Sequence, residues 1–426
     1  MVELLILADD FTGALDTGVQ FAARGASTTV VTDPNFDFSK ADPTTQVLVM
    51  DAETRHLPPR EAYRVIYRAV QNALSSGVSY IYKKTDSALR GNVGSELSAA
   101  MAAAGVDRLP FIPAFPKTGR VTRRGIHYIQ GVPVAESVFG QDPFEPVRFS
   151  DVRQILAQQA DVPAVLWDEM EEDQTGIAIF DAETDEDLRR IGQQLGKDHL
   201  HLSAGCAGFA AVLADLLQLR GKKTPAPSLY APFFVVCGSV NLVTRRQLDQ
   251  AERSGFRHFR LTPAQKLHPE WVQSESCTQE IRRWLEAARQ DQFCILDTND
   301  PEGSQATLGV SRENGWTMQD VRVRISTTLG TVMERLLNAG LEGTLLCTGG
   351  DTLLALMRAV GVTQLTPVRE LFAGVVLSNF VYQGKPYSII SKSGGFGEPD
   401  LLCQLAAQIQ TPSQEEDNIP CLQSIS

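Results

Sequence analysis

Leu4-Leu5-Ile6-Leu7-Ala8-Asp9-Asp10-Phe11-Thr12-Gly13-Ala14 opens the chain with a short apolar run that breaks into two adjacent carboxylates, a hydroxyl and a glycine. Five apolar residues bounded by polar ones read as a buried strand. The segment 13–24 that follows carries Leu15, Val19, Ala22 and Ala23 at helical spacing. A strand that turns directly into a helix is the first step of an α/β layer fold. The rhythm continues outward, with strands expected at 28–32, 47–50 and 78–82. Helices are expected at 60–75, on the spacing of Ala62, Val65, Ile66, Ala69 and Val70, and at the Ala-rich stretch 96–104.

Residues 108–147 break this rhythm with six prolines and the basic cluster Lys117, Arg120, Arg123 and Arg124, which reads as a binding loop. Alternation returns with a strand at 177–180, a helix at Asp185–Leu195, a strand at 199–202 and a helix at 206–219. Gly221-Lys222-Lys223-Thr224-Pro225-Ala226-Pro227 reads as a linker. Beyond it, strands are expected at Phe233–Cys237, 293–296, 344–347 and 387–390, and helices from 239 to 251 and at 278–288, 324–337 and 353–360. The expectation is two α/β domains with mostly parallel sheets, 1–228 and 229–412, an active-site cleft between them, and a polar tail at 413–426.

The 426 residues carry 39 Lys and Arg against 51 Asp and Glu, a net charge of −12, which argues against a non-specific nucleic-acid binder. Seven scattered cysteines, none two residues from another, argue against a disulfide framework or a Cys-based zinc site. No apolar run reaches about 18 residues, so no membrane span is expected, and the first residues lack the cationic start of a signal peptide. A reducing cytoplasm fits these features. Oligomeric state stays open, with a homo-oligomer among the alternatives.

Six polar or glycine-rich stretches fall at expected strand ends or in the proline-rich segment. Ligands gather at the carboxyl ends of strands in open α/β sheets. Asp9 and Asp10 repel each other unless a cation or hydroxyl uses them; the plainer role for Asp10 or Thr12 is helix capping. Lys83-Lys84-Thr85-Asp86-Ser87-Ala88-Leu89-Arg90-Gly91 offers charge-assisted bonds to a carboxylate or phosphate; its plainer reading is a capping loop. Pro113-Ala114-Phe115-Pro116-Lys117-Thr118-Gly119-Arg120 alone is a surface loop, and with the first two it suggests an anion-binding mouth. Cys237-Gly238-Ser239, Thr348-Gly349-Gly350-Asp351-Thr352 and Lys392-Ser393-Gly394-Gly395-Phe396-Gly397 are small-residue turns that let backbone N–H groups approach phosphates. No Walker pattern, strict Rossmann fingerprint, His-Glu-x-x-His or Gly-x-Ser-x-Gly is present.

Taken together and in order, Ala8–Ala14, 84–91, 113–120, Ser203-Ala204-Gly205, Gly238-Ser239, 348–352 and 392–397 resemble the four-carbon acid sugar kinase family. The resemblance spans nearly the whole chain. It implies ATP-dependent phosphorylation of the 4-hydroxyl of a sugar acid of the D-threonate or D-erythronate type, with Mg²⁺. Kinases of 3-oxo-tetronate or of another small sugar acid, and a non-catalytic sugar-acid sensor, are the alternatives. Asp9, Asp10, Arg55, Lys83, Lys84, Thr85, Asp86 and Arg90 are the expected substrate contacts. Arg55 joins them because it follows the strand at 47–50. Ser239, Gly349, Gly350, Thr352, Ser393, Gly394, Gly395, Phe396 and Gly397 are expected at the nucleotide. Asp351 is the expected general base, with Asp10 or Asp86 as substitutes. Metal ligands are not assigned.

Overall fold

A computed structural model describes residues 2–142, 145–223, 225 and 227–409. The polar tail 413–426 and parts of the linker lie outside the described residues. The front lobe begins with β1 (Leu4–Ala8), α1 (Phe11–Ala22), β2 (Thr28–Val31), β3 (Val47–Asp51), α2 (Pro59–Ser75), β4 (Tyr80–Lys84), α3 (Val93–Ala104) and β5 (Arg108–Ile112). A small antiparallel unit follows, β6 (Arg120–Arg123), β7 (Ile126–Ile129) and β8 (Val132–Pro133). The lobe closes with α4 (Val152–Ala157), β9 (Ala164–Leu166), β10 (Gly176–Ile179), α5 (Asp185–Leu195), β11 (Leu202–Gly205) and α6 (Ala207–Leu216).

The rear lobe runs β12 (Phe233–Cys237), α7 (Leu242–Arg253), β13 (Arg257–Arg260), α8 (Pro263–Leu267), α9 (Glu275–Asp291), β14 (Phe293–Asp297), α10 (Gln305–Glu313) and α11 (Met318–Asn338). It ends with β15 (Thr344–Thr348), α12 (Gly350–Ala359), β16 (Gln364–Phe372), β17 (Val375–Tyr382), β18 (Lys385–Lys392) and α13 (Leu401–Ala406).

The α/β class matches the expectation, and the parallel core strands are apolar on both faces, as a sheet covered by helices requires. Two expectations change. The sheet is continuous across both lobes, in the order β13-β14-β12-β15-β18-β17-β16-β2-β3-β1-β4-β11-β5-β10-β9. The join is antiparallel, Leu365 of β16 opposite Val30 of β2. Helix α1 lies over this join, and its Leu15, Val19 and Phe21 share one core with Leu365, Val376, Phe380 and Ile389 of the rear lobe.

The second change concerns the proline-rich segment. Its first residues, Arg108–Ile112, form an interior strand between β10 and β11, with Pro110 opposite Ala178. Burial of Leu109, Phe111 and Ile112 outweighs the missing donor of one proline. The strand expected at 78–82 also lies two residues later, so Lys83 and Lys84 belong to β4 itself.

Candidate active site

The carboxyl ends of β1, β3 and β4 bring the first two motifs together. Asp10 caps α1: its Oδ1 accepts from the Gly13 N–H at 3.0 Å, and its Oδ2 accepts from the Thr12 hydroxyl at 2.8 Å. Arg55, on the loop after β3, is the hub. It lies 2.7 Å from Asp9, 2.8 Å from Asp10 and 3.4 Å from Asp86. Arg90 grips Asp86 at 2.9 and 3.0 Å and reaches Asp142 at 3.2 Å. Burial pushes the Asp9 carboxyl up, but Arg55, Lys84 and Lys83 outweigh it and hold it at about 2. Burial likewise opposes the ionised form of Asp86, yet Arg90 and Arg55 keep its carboxyl well below the usual range.

Alternation along β4 separates the two lysines. Lys84 lies against Gly13 and sits 3.7 Å from Asp9. A side chain at Gly13 would collide with the Lys84 amine and the Asp10 carboxylate, so glycine is what lets the helix start approach β4. Lys83 turns to α3 instead, where it is fully buried and pairs with Glu96 at 2.8 Å. That pair removes Lys83 from the expected substrate contacts and makes it a buried brace between β4 and α3. Thr85 joins β4 to β11 through its N–H on Gly205 O, at 2.8 Å, and its buried hydroxyl has no partner among the described residues.

The small β6–β8 unit caps this region. His127, buried, donates from Nε2 to the carbonyl of Ser87 at 2.9 Å and so fixes the Lys84–Gly91 loop. Asn92 does the same from the other side, donating to the carbonyls of Thr54 and Leu57 at 2.8 Å each. Arg120, the first residue of β6, points across to the rear lobe. Its guanidinium stacks 4.1 Å from the centre of the Phe396 ring, and Nη2 donates to the Gly395 carbonyl at 3.4 Å.

In the rear lobe the three glycine turns converge at the ends of β12, β15 and β18. Thr352, on α12, packs directly on Gly238, so any side chain there would overlap its hydroxyl and come within 3.1 Å of Leu329. Gly349 and Gly394 both lie against Ser239. Helix α7 pins the third turn: Thr244 donates to Gly394 O at 2.8 Å, and Gln247 donates to the carbonyls of Phe396 and Glu398. Gln247 thus holds the backbone around Phe396 and Gly397, while the Phe396 ring faces Arg120. Ser393 is tied by its N–H to Gly374 O at 3.0 Å.

The two sets of motifs meet. A side-chain carbon at Gly350 would stand 3.5 Å from Asp10 Oδ2 and 3.5 Å from the Thr12 nitrogen. The N-terminal ends of α1 and α12 therefore meet at one junction, where both helix dipoles favour negative charge. Asp351 lies in the first turn of α12, half exposed, with both oxygens accepting from Arg322 at 3.2 and 3.1 Å.

Four groups join the site that sequence reasoning did not assign. Arg120 stood in the basic cluster and at the end of the 113–120 motif, with no ligand contact assigned to it. Asp16, one turn along α1 from Gly13, is buried with Oδ1 unpartnered. Burial and Glu370 push its carboxyl up to about 7, while Lys84 and Arg120 pull it down. Asn299, beyond β14, donates to Ser239 O at 3.0 Å, and no glycine marks its loop. Lys392, at the end of β18, is fully buried beside Thr244 and the Ser393 carbonyl, and burial lowers its ammonium to about 7.

Comparison with known proteins agrees with this division. Residues 4–213 match a family described as a sugar-binding N-terminal domain, and residues 234–402 match a nucleotide-binding C-terminal domain. A D-threonate kinase of Salmonella typhimurium is 30% identical, over 96% of this chain and 99% of its own. A D-threonate kinase of Bordetella bronchiseptica is also 30% identical, over 95% and 97%. A D-erythronate kinase of Heliobacterium modesticaldum is 28% identical, over 98% and 99%. Among solved structures, a Haemophilus influenzae protein of a family of unknown function shares the fold, with a TM-score of 0.66 and 22% identity over 95% of this chain and 99% of its own. The chain belongs to the four-carbon acid sugar kinase family, with a sugar-binding domain followed by a nucleotide-binding domain.

Proposed function

We propose that this kinase transfers the γ-phosphoryl group of ATP to the 4-hydroxyl of D-threonate, with D-erythronate as the nearest competing substrate. The observation that carries this reading is the approach of Gly350 of the rear lobe to Asp10 of the front lobe, close enough that a side-chain carbon at 350 would stand 3.5 Å from Asp10 Oδ2. It sets a backbone suited to a triphosphate beside a carboxylate suited to a hydroxyl. The relatives that act on D-threonate at 30% identity support the choice of acid. We take the division between the lobes at residues 228 and 229.

The mechanism follows from these positions. Gly238-Ser239, Gly350 and Gly394-Gly395 present backbone donors to phosphate oxygens, while the N–H groups of Gly349 and Ser393 already donate to Lys392 O and Gly374 O. Mg²⁺ supplies charge neutralisation on the phosphates when bound. No group of three or more candidate ligands gathers among the described residues. Single carboxylates beside glycine turns fit an ion that arrives on the triphosphate and needs only one or two protein ligands. Asp10 accepts the proton of the attacking hydroxyl, because its Oδ2 is the carboxylate oxygen beside Gly350 at the junction of the two helix ends. Asp351, the base expected from the sequence, is bonded to Arg322 as Asp10 is to Arg55, and is the runner-up because its carboxylate is half exposed where that of Asp10 is mostly buried. Asp86 is committed to Arg90 and Arg55. The free cysteines among the described residues suit a reducing cytoplasm.

The test is ADP release with D-threonate, L-threonate, D-erythronate and 3-oxo-tetronate, each with Mg-ATP. D-threonate should give the highest kcat/KM; ADP release independent of every acid would overturn the reading. Asp10→Asn should lower kcat at least ~100-fold, and Asp351→Asn less than ~10-fold. The reverse order returns the base to Asp351.

A further inference from the structure

A four-carbon acid presents one carboxylate, and the cations first expected to hold it are already matched inside the protein. Lys83 is paired with Glu96, Arg90 with Asp86 and Asp142, and Arg55 with Asp9, Asp10 and Asp86. Lys84 faces Asp9. Arg120 differs. It is only 4% exposed, its Nε has no partner among the described residues, and its other hydrogen bonds there go to the carbonyls of Thr118 and Gly395. No carboxylate among the described residues forms an ion pair with it. A buried guanidinium without a counter-charge is costly, and an unsatisfied buried donor calls for a partner that arrives from outside.

We propose that Arg120 binds the carboxylate of the sugar acid, an inference that rests on the kinase reading above. Its planar fork matches a carboxylate in two parallel bonds. The rings of Phe396 at 4.1 Å and Phe139 at 5.9 Å wall the guanidinium from water. Asp16 supplies the next contact. Its unpartnered, buried Oδ1 accepts a hydrogen bond from a hydroxyl of the carbon chain. Asp16 lies on α1, the helix that Asp10 caps, and its carboxyl is within electrostatic reach of Glu370, Lys84, Arg120 and Asp10. In this proposal the carboxylate sits at Arg120 and the 4-hydroxyl at Asp10 beside Gly350, with Asp16 on the same helix as Asp10 free to take a hydroxyl of the chain. Since Arg120 also touches Gly395, binding of the acid's carboxylate and ordering of a nucleotide turn are coupled through one side chain.

The shared chemistry is an oxyanion, and a phosphate of the nucleotide is the other source. Full-length Arg120→Met and Arg120→Lys are compared with the parent by calorimetry. D-threonate alone and ADP alone are the titrants, thermal unfolding is the folding control, and turnover is measured on D-threonate and on the neutral four-carbon polyol threitol. The expected result is a ~100-fold loss of D-threonate affinity in Arg120→Met, partial recovery in Arg120→Lys, and ADP affinity within about 3-fold. Preference for the acid over threitol should collapse by a similar factor, which a purely structural role would leave in place. Unchanged D-threonate affinity overturns the proposal. So does a loss of ADP affinity with D-threonate affinity retained, which reassigns Arg120 to phosphate. Failure of the parent protein to bind D-threonate or D-erythronate, or to turn them over, would count against the kinase reading instead.

Discussion

The two halves of the cleft recognise their ligands by different means. The front half is dense in charge, and most of that charge is matched internally: one arginine, Arg55, serves three carboxylates. The rear half is built from backbone, with glycines at 238, 349, 350, 394 and 395 and the buried Lys392. A polyol is read by side chains that accept hydrogen bonds in fixed directions. A triphosphate is read by N–H groups and helix ends, which need close approach rather than side chains. The lesson is that a cation in a binding pocket is informative only after its internal partners are subtracted.

Substitutions in each half sharpen that contrast. The largest effect is expected for Arg55→Met, which removes the counter-charge shared by Asp9, Asp10 and Asp86 and leaves Asp86 to Arg90 and Asp9 to Lys84. It should cost about 3–5 kcal/mol of stability in denaturant unfolding. A loss below about 1 kcal/mol would mean that the front network is not self-compensating. Gly238→Val tests the rear half. The new side chain must displace Thr352, and affinity for ADP should fall at least ~10-fold while D-threonate affinity holds. Equal losses for both ligands would show that the two halves do not recognise separately.

The smallest effect concerns Asp16. Its carboxyl is raised from 3.8 to about 7, so the native state holds a proton more tightly than the unfolded chain. That stabilisation is complete below about pH 4 and is lost as pH rises through about 7. Asp16→Asn should therefore raise the melting temperature relative to the parent by about 2–4 °C at pH 8. The gain should shrink as pH falls towards 4. A pH-independent difference would place Asp16 in a solvated setting.

Much of this was legible beforehand. The alternation of short apolar runs with helical spacing located β1, α1, α2, β12 and β15 to within a few residues. The glycine and hydroxyl residues at strand ends marked the turns that converge around Ser239. The antiparallel meander β16–β17–β18 was less readable, because only the end of its last strand stood out as an apolar run. The partners of Lys83 and Lys84 were hidden by a two-residue offset in β4, which determines the face to which each lysine turns. Asn299 carried no local signal, and Lys392 opened a recognised glycine turn without any sign of its burial, since the roles of both arise from neighbours far away in the chain.

The order of residues was enough to establish an α/β chain of two lobes, its chemistry-bearing turns and the family they resemble. Those features are local: hydrophobic period, turn residues and motif spacing are written in neighbouring positions. Folding chose which charges stay available. Glu96 takes Lys83, Arg322 takes Asp351 and Arg120 is left without a carboxylate, and none of these outcomes follows from spacing along the chain. Electrostatic matching depends on distance in space, and here the join of β16 to β2 and the packing of α1 across both lobes bring residues hundreds of positions apart into one pocket.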